Sequence, residues 1–178
     1  MNWFTGDYHF NHKAIIQFCN RPFLTMLEMN RVIIQRHNER VAPSDTVYFL
    51  GDFAFYTSKY EIEMFLKRLN GHFVFIQGNH DKNNNLNAIT KYSVLNTYGK
   101  QIQLVHKPDD IVEGFDLYLC GHVHEKWKFK KVFRGQHPYS TYVVNVGVDA
   151  WGFYPVNMKQ ILKALKKWGE NDKSNQRM

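Results

Sequence analysis

The chain has 178 residues, of which 44% are hydrophobic and 22% are charged, so it can form a packed core and is too apolar for wholesale disorder. It contains no run of about 18 apolar residues of the kind that spans a bilayer as a helix. Its formal net charge of +7 suits an anionic partner such as a phosphate ester or a nucleic acid.

The first half of the chain alternates predicted strands and helices, as βαβ units do. Short apolar strands are predicted over Asn2–Gly6, Thr46–Leu50 and Phe73–Gln77. Helices are predicted from Thr25 to about Val41 and from Ser58 to Leu69. Each helix begins with the capping-box pattern, a Ser or Thr followed three residues later by Glu.

The second half is richer in strands, and it closes with one amphipathic helix predicted from Asn157 to Trp168. The predicted strands are Ser93–Thr97, Gln101–His106, Asp116–Cys120 and Thr141–Val146, with the first two joined near Gly99. We therefore predict one α/β domain over residues 1–168, built of two packed sheets flanked by helices. A polar C-terminal tail is predicted over residues 169–178.

Residues that commonly bind metals follow the predicted strands at several places. The segments are Gly6-Asp7-Tyr8-His9, Gly51-Asp52, Gly78-Asn79-His80-Asp81, Gly121-His122-Val123-His124, and His106 at the end of a further strand. In extended backbone, residues i and i+2 face the same side, with Cα atoms about 6.6 Å apart. Asp7 and His9 are therefore predicted to converge, as are His122 and His124, whereas the adjacent Asn79 and His80 should diverge.

This series of motifs, in this order over residues 7 to 124, resembles the calcineurin-like metallophosphoesterase superfamily. Asn145-Val146-Gly147 also resembles the closing segment of its small bacterial and phage members. The resemblance implies a four-layer α-β-β-α sandwich of two mixed sheets, with the metals at one rim.

The resemblance also implies seven metal ligands, three for each of two ions and one bridging both. These are Asp7, His9 and His124; Asn79, His106 and His122; and the bridging Asp52. Mixed nitrogen and carboxylate ligation suits Mn²⁺, which we favour, or Fe, Zn or Ni, better than Ca²⁺ or Mg²⁺.

The implied activity is dinuclear-metal hydrolysis of a phosphate ester, most simply a phosphodiester of a small or nucleotide-type substrate. A hydroxide bridging the ions would attack phosphorus, His80 would act as general acid, and Asp81 would orient the imidazole of His80. Two alternatives stay open: a nuclease acting on DNA or RNA, and a non-catalytic scaffold that binds a protein partner.

Other residues carry weaker expectations. His12 and Arg21 follow the first motif and are candidates for contact with the substrate phosphate. The basic and aromatic segment Lys126–Arg134 could line a groove for a nucleic-acid strand, but a solvated edge strand is favoured. The two cysteines, Cys19 and Cys120, form no disulfide framework, which favours the cytoplasm. No membrane partner is expected, and the sequence leaves the oligomeric state open.

Overall fold

In the computed structural model, which describes residues 1–55, 58–81, 86, 89–132 and 141–175, ten strands form two five-stranded sheets. The first sheet has the order β10-β1-β2-β3-β4. Its strands are β1 (Asn2–Thr5), β2 (Thr46–Phe49), β3 (His72–Ile76), β4 (Ile89–Thr90) and β10 (Val156–Asn157). Strands β1 to β4 run parallel, and β10 pairs with β1 in the antiparallel sense.

The second sheet has the order β5-β6-β7-β9-β8 and is also mixed. Its strands are β5 (Tyr92–Thr97), β6 (Lys100–Val105), β7 (Leu117–Cys120), β8 (Phe129–Val132) and β9 (Thr141–Asn145). The three central strands are parallel, and the edge strands β5 and β8 are antiparallel to their neighbours. The predicted α/β fold with two mixed sheets is confirmed.

The helices are α1 (Ile15–Phe18), α2 (Met26–Asn38), α3 (Lys59–Arg68) and α4 (Met158–Asn175). Both predicted N-terminal caps form, with Thr25 accepting from the backbone N–H of Glu28 and Ser58 forming a complete capping box with Glu61. The prediction that the last helix ends at Trp168 is wrong, because α4 continues through Gly169. One internal glycine costs only about 1 kcal/mol relative to alanine, and the Lys166–Glu170 ion pair spans this position.

Apolar residues fill the layers on both faces of the sheets. Helices α2 and α3 pack on the outer face of the first sheet through Met29, Ile33, Ile62 and Phe65. Between the sheets lie Phe4, Ile76, Leu104, Leu119, Val144 and, from α4, Ile161. Among the described residues, the outer face of the second sheet is covered by Ile111, Phe115 and Trp127 from connecting segments. This layer is thinner than the helical layer on the first sheet.

The parallel strands of both sheets end at one shared edge. Gly6, just after β1, forms a parallel bridge with Gly147, just after β9, so the two sheets meet there. The residues that follow β2, β3, β6 and β7 are brought to the same edge, where ligands commonly bind in α/β folds. No helix in the described part of the chain is long and apolar enough to cross a membrane.

Candidate metal centre

Asp7, His9 and His124, which we call the first ligand group, converge at this edge. One potential ligand atom from each lies within 4.8 Å of those of the other two. The carboxylate of Asp7 is fully buried and accepts the backbone N–H of His122 at 3.0 Å and 3.1 Å. A Cβ atom at Gly147 would collide with this carboxylate, so the close approach requires glycine.

These ligands converge by a different backbone route from the extended one predicted. Asp7 and His9 have φ of 57° and 51°, and His122 and His124 have φ of 69° and 49°. All four are left-handed, a conformation that costs a non-glycine residue of order 1–3 kcal/mol and is concentrated at functional sites. Asp7 and His9 still meet in one group, but His122 and His124 lie in different groups. The predicted convergence of His122 with His124 is therefore wrong, as is the extended geometry predicted for both pairs. Surrounding hydrogen bonds hold the strained conformation.

Asp52, His106 and His122, the second ligand group, also have ligand atoms within 4.8 Å of one another. Asp52 links the two groups, because its Oδ2 atom lies 3.5 Å from His9 Nε2 and 3.4 Å from His106 Nε2. His106 Nδ1 donates to the carbonyl of Leu50 at 2.7 Å, since a carbonyl can only accept. In the neutral imidazole, which is the form that binds a metal, Nε2 of His106 is thereby left to accept.

The side chains of Asn79 and His80 diverge, as predicted. Asn79 Oδ1 lies 2.9 Å from His106 Nε2, in the second group. The ring of His80 lies 5.3 Å from that of His9 and 5.2 Å from that of Phe55, centroid to centroid. A ring nitrogen of His80 also falls within 4.8 Å of ligand atoms of His9 and Asp52. His80 therefore faces the region between the two groups.

Asp81 holds the backbone rather than the imidazole of His80, so its predicted orienting role is corrected. Its two carboxylate oxygens accept backbone N–H groups from Asp52 at 2.7 Å, Phe53 at 3.0 Å and Gly78 at 2.8 Å. A carboxylate one residue after His80 turns away from that ring and toward the neighbouring strand end. Asp81 thus joins the segment carrying Asp52 to the segment carrying Asn79.

Arg21 is buried and fully paired, which corrects its prediction as a substrate contact. Its guanidinium forms a bidentate pair with Asp149 at 2.8 Å and 2.9 Å. It also donates to the carbonyl oxygens of Asp7 at 2.7 Å and Tyr8 at 3.0 Å, and to the sulfur of Met29. All five donors of the guanidinium are engaged. Arg21 therefore stabilises the left-handed turn of the first motif.

Asp149 is the important residue that sequence reasoning missed. Its Oδ2 atom accepts from Nδ1 of His124 at 2.9 Å, so Nε2 of His124 faces the first ligand group as the free nitrogen. The nearby Asn145 is buried and bonds the carbonyls of His124 and Trp127 at 2.7 Å and 2.9 Å. The resemblance of Asn145-Val146-Gly147 to a family segment was the signal that could have led to Asp149.

His12 lies at the rim of the centre, where the substrate-contact prediction would require it. Its ring stacks on Phe55 at 3.8 Å and lies 5.3 Å from the ring of His9 and 6.2 Å from that of His80. Its buried Nδ1 has no hydrogen-bond partner among the described residues. Burial lowers its pKa to about 4, so the ring is neutral at pH 7.

Burial and mutual contacts shift the pKa values of several residues at the centre. Burial raises the pKa of Asp7 to about 6 and outweighs the lowering effect of His106 and His124. Burial also lowers the pKa of His9 well below its usual value. Burial opposes the charged forms of Asp52 and His106 as well, yet their mutual contact holds the pKa of Asp52 below its usual range and raises that of His106 to about 9.

The surroundings of His9 support the view that these residues fit divalent ions. Both ring nitrogens of this buried side chain lack a hydrogen-bond partner among the described residues. A buried polar group without a partner costs about 1–3 kcal/mol, and a metal bond would remove that cost at one nitrogen. Imidazole nitrogens beside carboxylates are suited to Mn, Fe, Zn or Ni ions.

Within the basic segment Lys126–Arg134, the edge strand β8 covers Phe129–Val132, and residues 126–128 precede it without strand structure. The ammonium of Lys128 lies 4.2 Å from the ring centroid of Trp151, and that of Lys130 lies 5.9 Å from that of Trp127. Charged side chains on β8 also oppose pairing with another chain. Phe133 and Arg134, at the end of the segment, lie outside the described residues. Contact with nucleic acid stays a prediction.

Comparison with known proteins gives three results. A model of the calcineurin-like phosphoesterase superfamily domain matches residues 6–152. An uncharacterized protein of Methanocaldococcus jannaschii is 36% identical over 165 residues, which are 91% of this chain and 89% of that protein. The crystal structure of a protein of unknown function from Aquifex aeolicus has a TM-score of 0.69 at 26% identity, covering 92% of this chain and 98% of the other.

Proposed function

The chain belongs to the calcineurin-like phosphoesterase superfamily, and on that premise we propose that it is a metal-dependent phosphodiesterase acting on a small or nucleotide-type ester. The observation that carries the proposal is the position of Asp52. One oxygen of this carboxylate lies within 3.5 Å of a ring nitrogen from each side, His9 and His106, as a ligand shared by two ions would. A scaffold that only bound a protein would be expected to use exposed residues, whereas Asp52, His9 and His106 are buried.

The residues of the two ligand groups would hold one divalent ion each, with Asn79 in the second group and Asp52 between them. Two such ions supply Lewis-acid chemistry, activating water and balancing the negative charge of the phosphoryl oxygens. Mn²⁺ is our first choice of ion, and the cytoplasm our proposed location. The two cysteines, Cys19 and Cys120, are buried free thiols, as is usual in a reducing compartment.

His80 is proposed to donate the proton that the leaving group needs. In hydrolysis, an oxygen from water bonds to phosphorus, the phosphorus–oxygen bond to the leaving group breaks, and that oxygen takes up a proton. The backbone N–H of His80 donates to Asp52 Oδ1 at 2.9 Å, which fixes the residue beside the shared ligand. Its ring borders His9, Phe55 and the neutral His12.

Hydrolysis of bis-p-nitrophenyl phosphate and p-nitrophenyl phosphate by metal-stripped protein, with Mn²⁺, Ni²⁺, Zn²⁺ or Mg²⁺ added back, tests the proposal. We expect turnover to return with Mn²⁺ and the diester to be preferred. Asp52→Asn should abolish turnover and lower the number of bound ions. No turnover with any ion, in protein shown to bind two, would contradict the proposal.

The role of His80 has its own test. His80→Ala should keep both ions and lose about 10²–10⁴-fold in turnover, the usual contribution of a positioned proton donor. A substrate with a good leaving group needs less protonation, so the loss should be smaller for p-nitrophenyl esters than for alkyl esters. Loss of an ion in this variant would instead make His80 a metal ligand.

A further inference from the structure

A cavity of about 400 Å³ adjoins the second ligand group and is not used by the chemistry described above. It is lined by Asn79, Lys91, Tyr92, His106, Lys107 and Asp110, and we call it the lysine cavity. This volume lies within the range of about 300–1,000 Å³ that small-molecule sites occupy. Because Asn79 and His106 belong to its wall, a molecule bound at the metal centre would extend directly into it.

The fold places two lysines in this cavity by independent routes. Lys107 directly follows the candidate ligand His106, at the end of β6. Lys91 is the single residue between β4 and β5, where the chain passes from the first sheet to the second. Two cations beside a predicted phosphate site favour the binding of a further anionic group.

The remaining side chains of the lysine cavity suit a ligand that carries other groups besides a phosphate. Tyr92 is 56% exposed, so its ring is available for stacking on a planar group. Gln77, which also lines the cavity, offers both a donor and an acceptor, whereas the carboxylate of Asp110 can only accept. An acceptor suits sugar hydroxyls or amino groups of a base and would repel a long polyphosphate tail.

We propose that the lysine cavity binds the leaving group of the ester and that this group is a nucleoside bearing a second phosphate. The proposal rests on the proposed function and narrows its substrate class. The scissile phosphate lies at the ligand groups, the second phosphate lies between Lys91 and Lys107, and the base stacks on Tyr92. Substrates of this class are dinucleotides with a terminal phosphate and the ends of short oligonucleotides.

The first experiment compares kcat/KM of the Mn²⁺-loaded protein for the dinucleotide ApA and for its 5′-phosphorylated and 3′-phosphorylated forms. One phosphorylated form should be hydrolysed at least about tenfold more efficiently, since hydrogen bonds to charged groups contribute about that much or more. Lys91→Gln and Lys107→Gln should each lower the ratio of this kcat/KM to that for bis-p-nitrophenyl phosphate by about tenfold.

Lys100→Gln is the matched control, because it removes the same charge from an exposed lysine at the opposite end of β6. This variant should keep the wild-type ratio. If no phosphorylated form is preferred, or if the control lowers the ratio as much as the cavity variants do, the lysine cavity is not a phosphate site.

A binding measurement separates this proposal from the hydrolase proposal. Adenosine 3′,5′-bisphosphate should bind metal-free protein in a calorimetric titration, and Lys91→Gln and Lys107→Gln should each weaken binding by about tenfold, unlike Lys100→Gln. This result would support the cavity even if no ester were hydrolysed. Absence of binding, or equal binding by all the variants, would overturn it even if bis-p-nitrophenyl phosphate were turned over.

Discussion

His124 of the first ligand group is oriented by buried charged side chains, whereas His106 of the second is oriented by a backbone carbonyl. Asp149 bonds His124 and pairs with Arg21, and the side chains of Asp149 and Arg21 are 3% and 0% exposed. Nδ1 of His106 bonds the backbone carbonyl of Leu50, and His122 is half-buried. The difference implies that the first group is preformed in the folded chain and that the second is more open to solvent and substrate.

This asymmetry has a physical rationale in the proposed reaction. A rigid, desolvated group holds an ion tightly and keeps a fixed geometry. A more open group can exchange its ligands with solvent and substrate, and the lysine cavity adjoins this side. The four predictions that follow test the contrast in order of decreasing expected effect.

Asp149→Ala should have the largest effect, because it leaves the guanidinium of Arg21 buried without its ion-pair partner. Breaking such a pair by removing one member costs about 3–5 kcal/mol. Urea unfolding of metal-free protein should show a loss of this size. Asp109→Ala, at an exposed aspartate, is the control and should change stability by less than about 0.5 kcal/mol. If the two variants lost equal stability, Asp149 would not stabilise the first ligand group, and the contrast between the groups would fail.

Mild acid should weaken the support of the first group through His37. Its ring bonds the hydroxyl of Tyr8 at 2.7 Å and the carbonyl of Asn70 at 2.8 Å, and Tyr8 lies between Asp7 and His9. Burial lowers the pKa of His37 to about 4, against about 6.5 for an unfolded chain. The unfolded state therefore binds more protons, and the stabilisation is complete above pH 6.5 and is lost as the pH falls toward 4.

Each unit of pKa difference corresponds to about 1.4 kcal/mol, so His37 should account for up to roughly 3 kcal/mol of stability lost on acidification. Urea unfolding at pH 7 and pH 4.5 measures this loss. His37→Gln, which cannot titrate, should show a smaller loss than the wild type between the two pH values. His72→Gln, at an exposed histidine, should keep the wild-type dependence. The same dependence in all three proteins would exclude His37 as the cause.

The contrast between the two groups also shows what the sequence could and could not predict. Every candidate ligand directly follows a strand, within a motif of at most four residues, so local pattern was enough to find it. Arg21 and Asp149 are 128 positions apart, and neither lies in a recognisable pattern with the other. Their pairing is a consequence of how the two sheets meet. The sequence therefore suggested a surface role for an arginine that the fold buries.

Backbone conformation was the second feature that could not be predicted from the sequence. Strands and helix caps were predictable, because apolar alternation and the Ser58–Glu61 pattern are local signals. The left-handed conformation of Asp7 and His9 was not predictable, since neither residue is a glycine. A residue in a turn can adopt either the extended or the left-handed conformation without a steric clash. Hydrogen bonds from Arg21 to the carbonyls of Asp7 and Tyr8 decide it.

The two ligand groups should differ in their affinity for metal, and we expect this effect to be smaller than those above. In a calorimetric titration with Mn²⁺, two ions should bind with different affinities, the tighter at the first group. Asp149→Asn should weaken the tighter ion by about 10–100-fold, because it removes the charge that orients His124. Asp116→Asn, which alters a carboxylate bonded to Gln101 far from the site, should leave both affinities unchanged. Loss of the weaker ion instead would reverse the order proposed here.

Asn79→Ala should have the smallest effect on folding. The side chain is exposed, and its Oδ1 atom lies 2.9 Å from His106 Nε2. Because solvent can replace that contact, the free energy of unfolding should change by less than about 0.5 kcal/mol. The weaker Mn²⁺ should nonetheless bind about tenfold less tightly, since an amide oxygen is lost from the second group. A folding loss as large as that of Asp149→Ala would mean that the second group is braced as firmly as the first, and the contrast between them would fail.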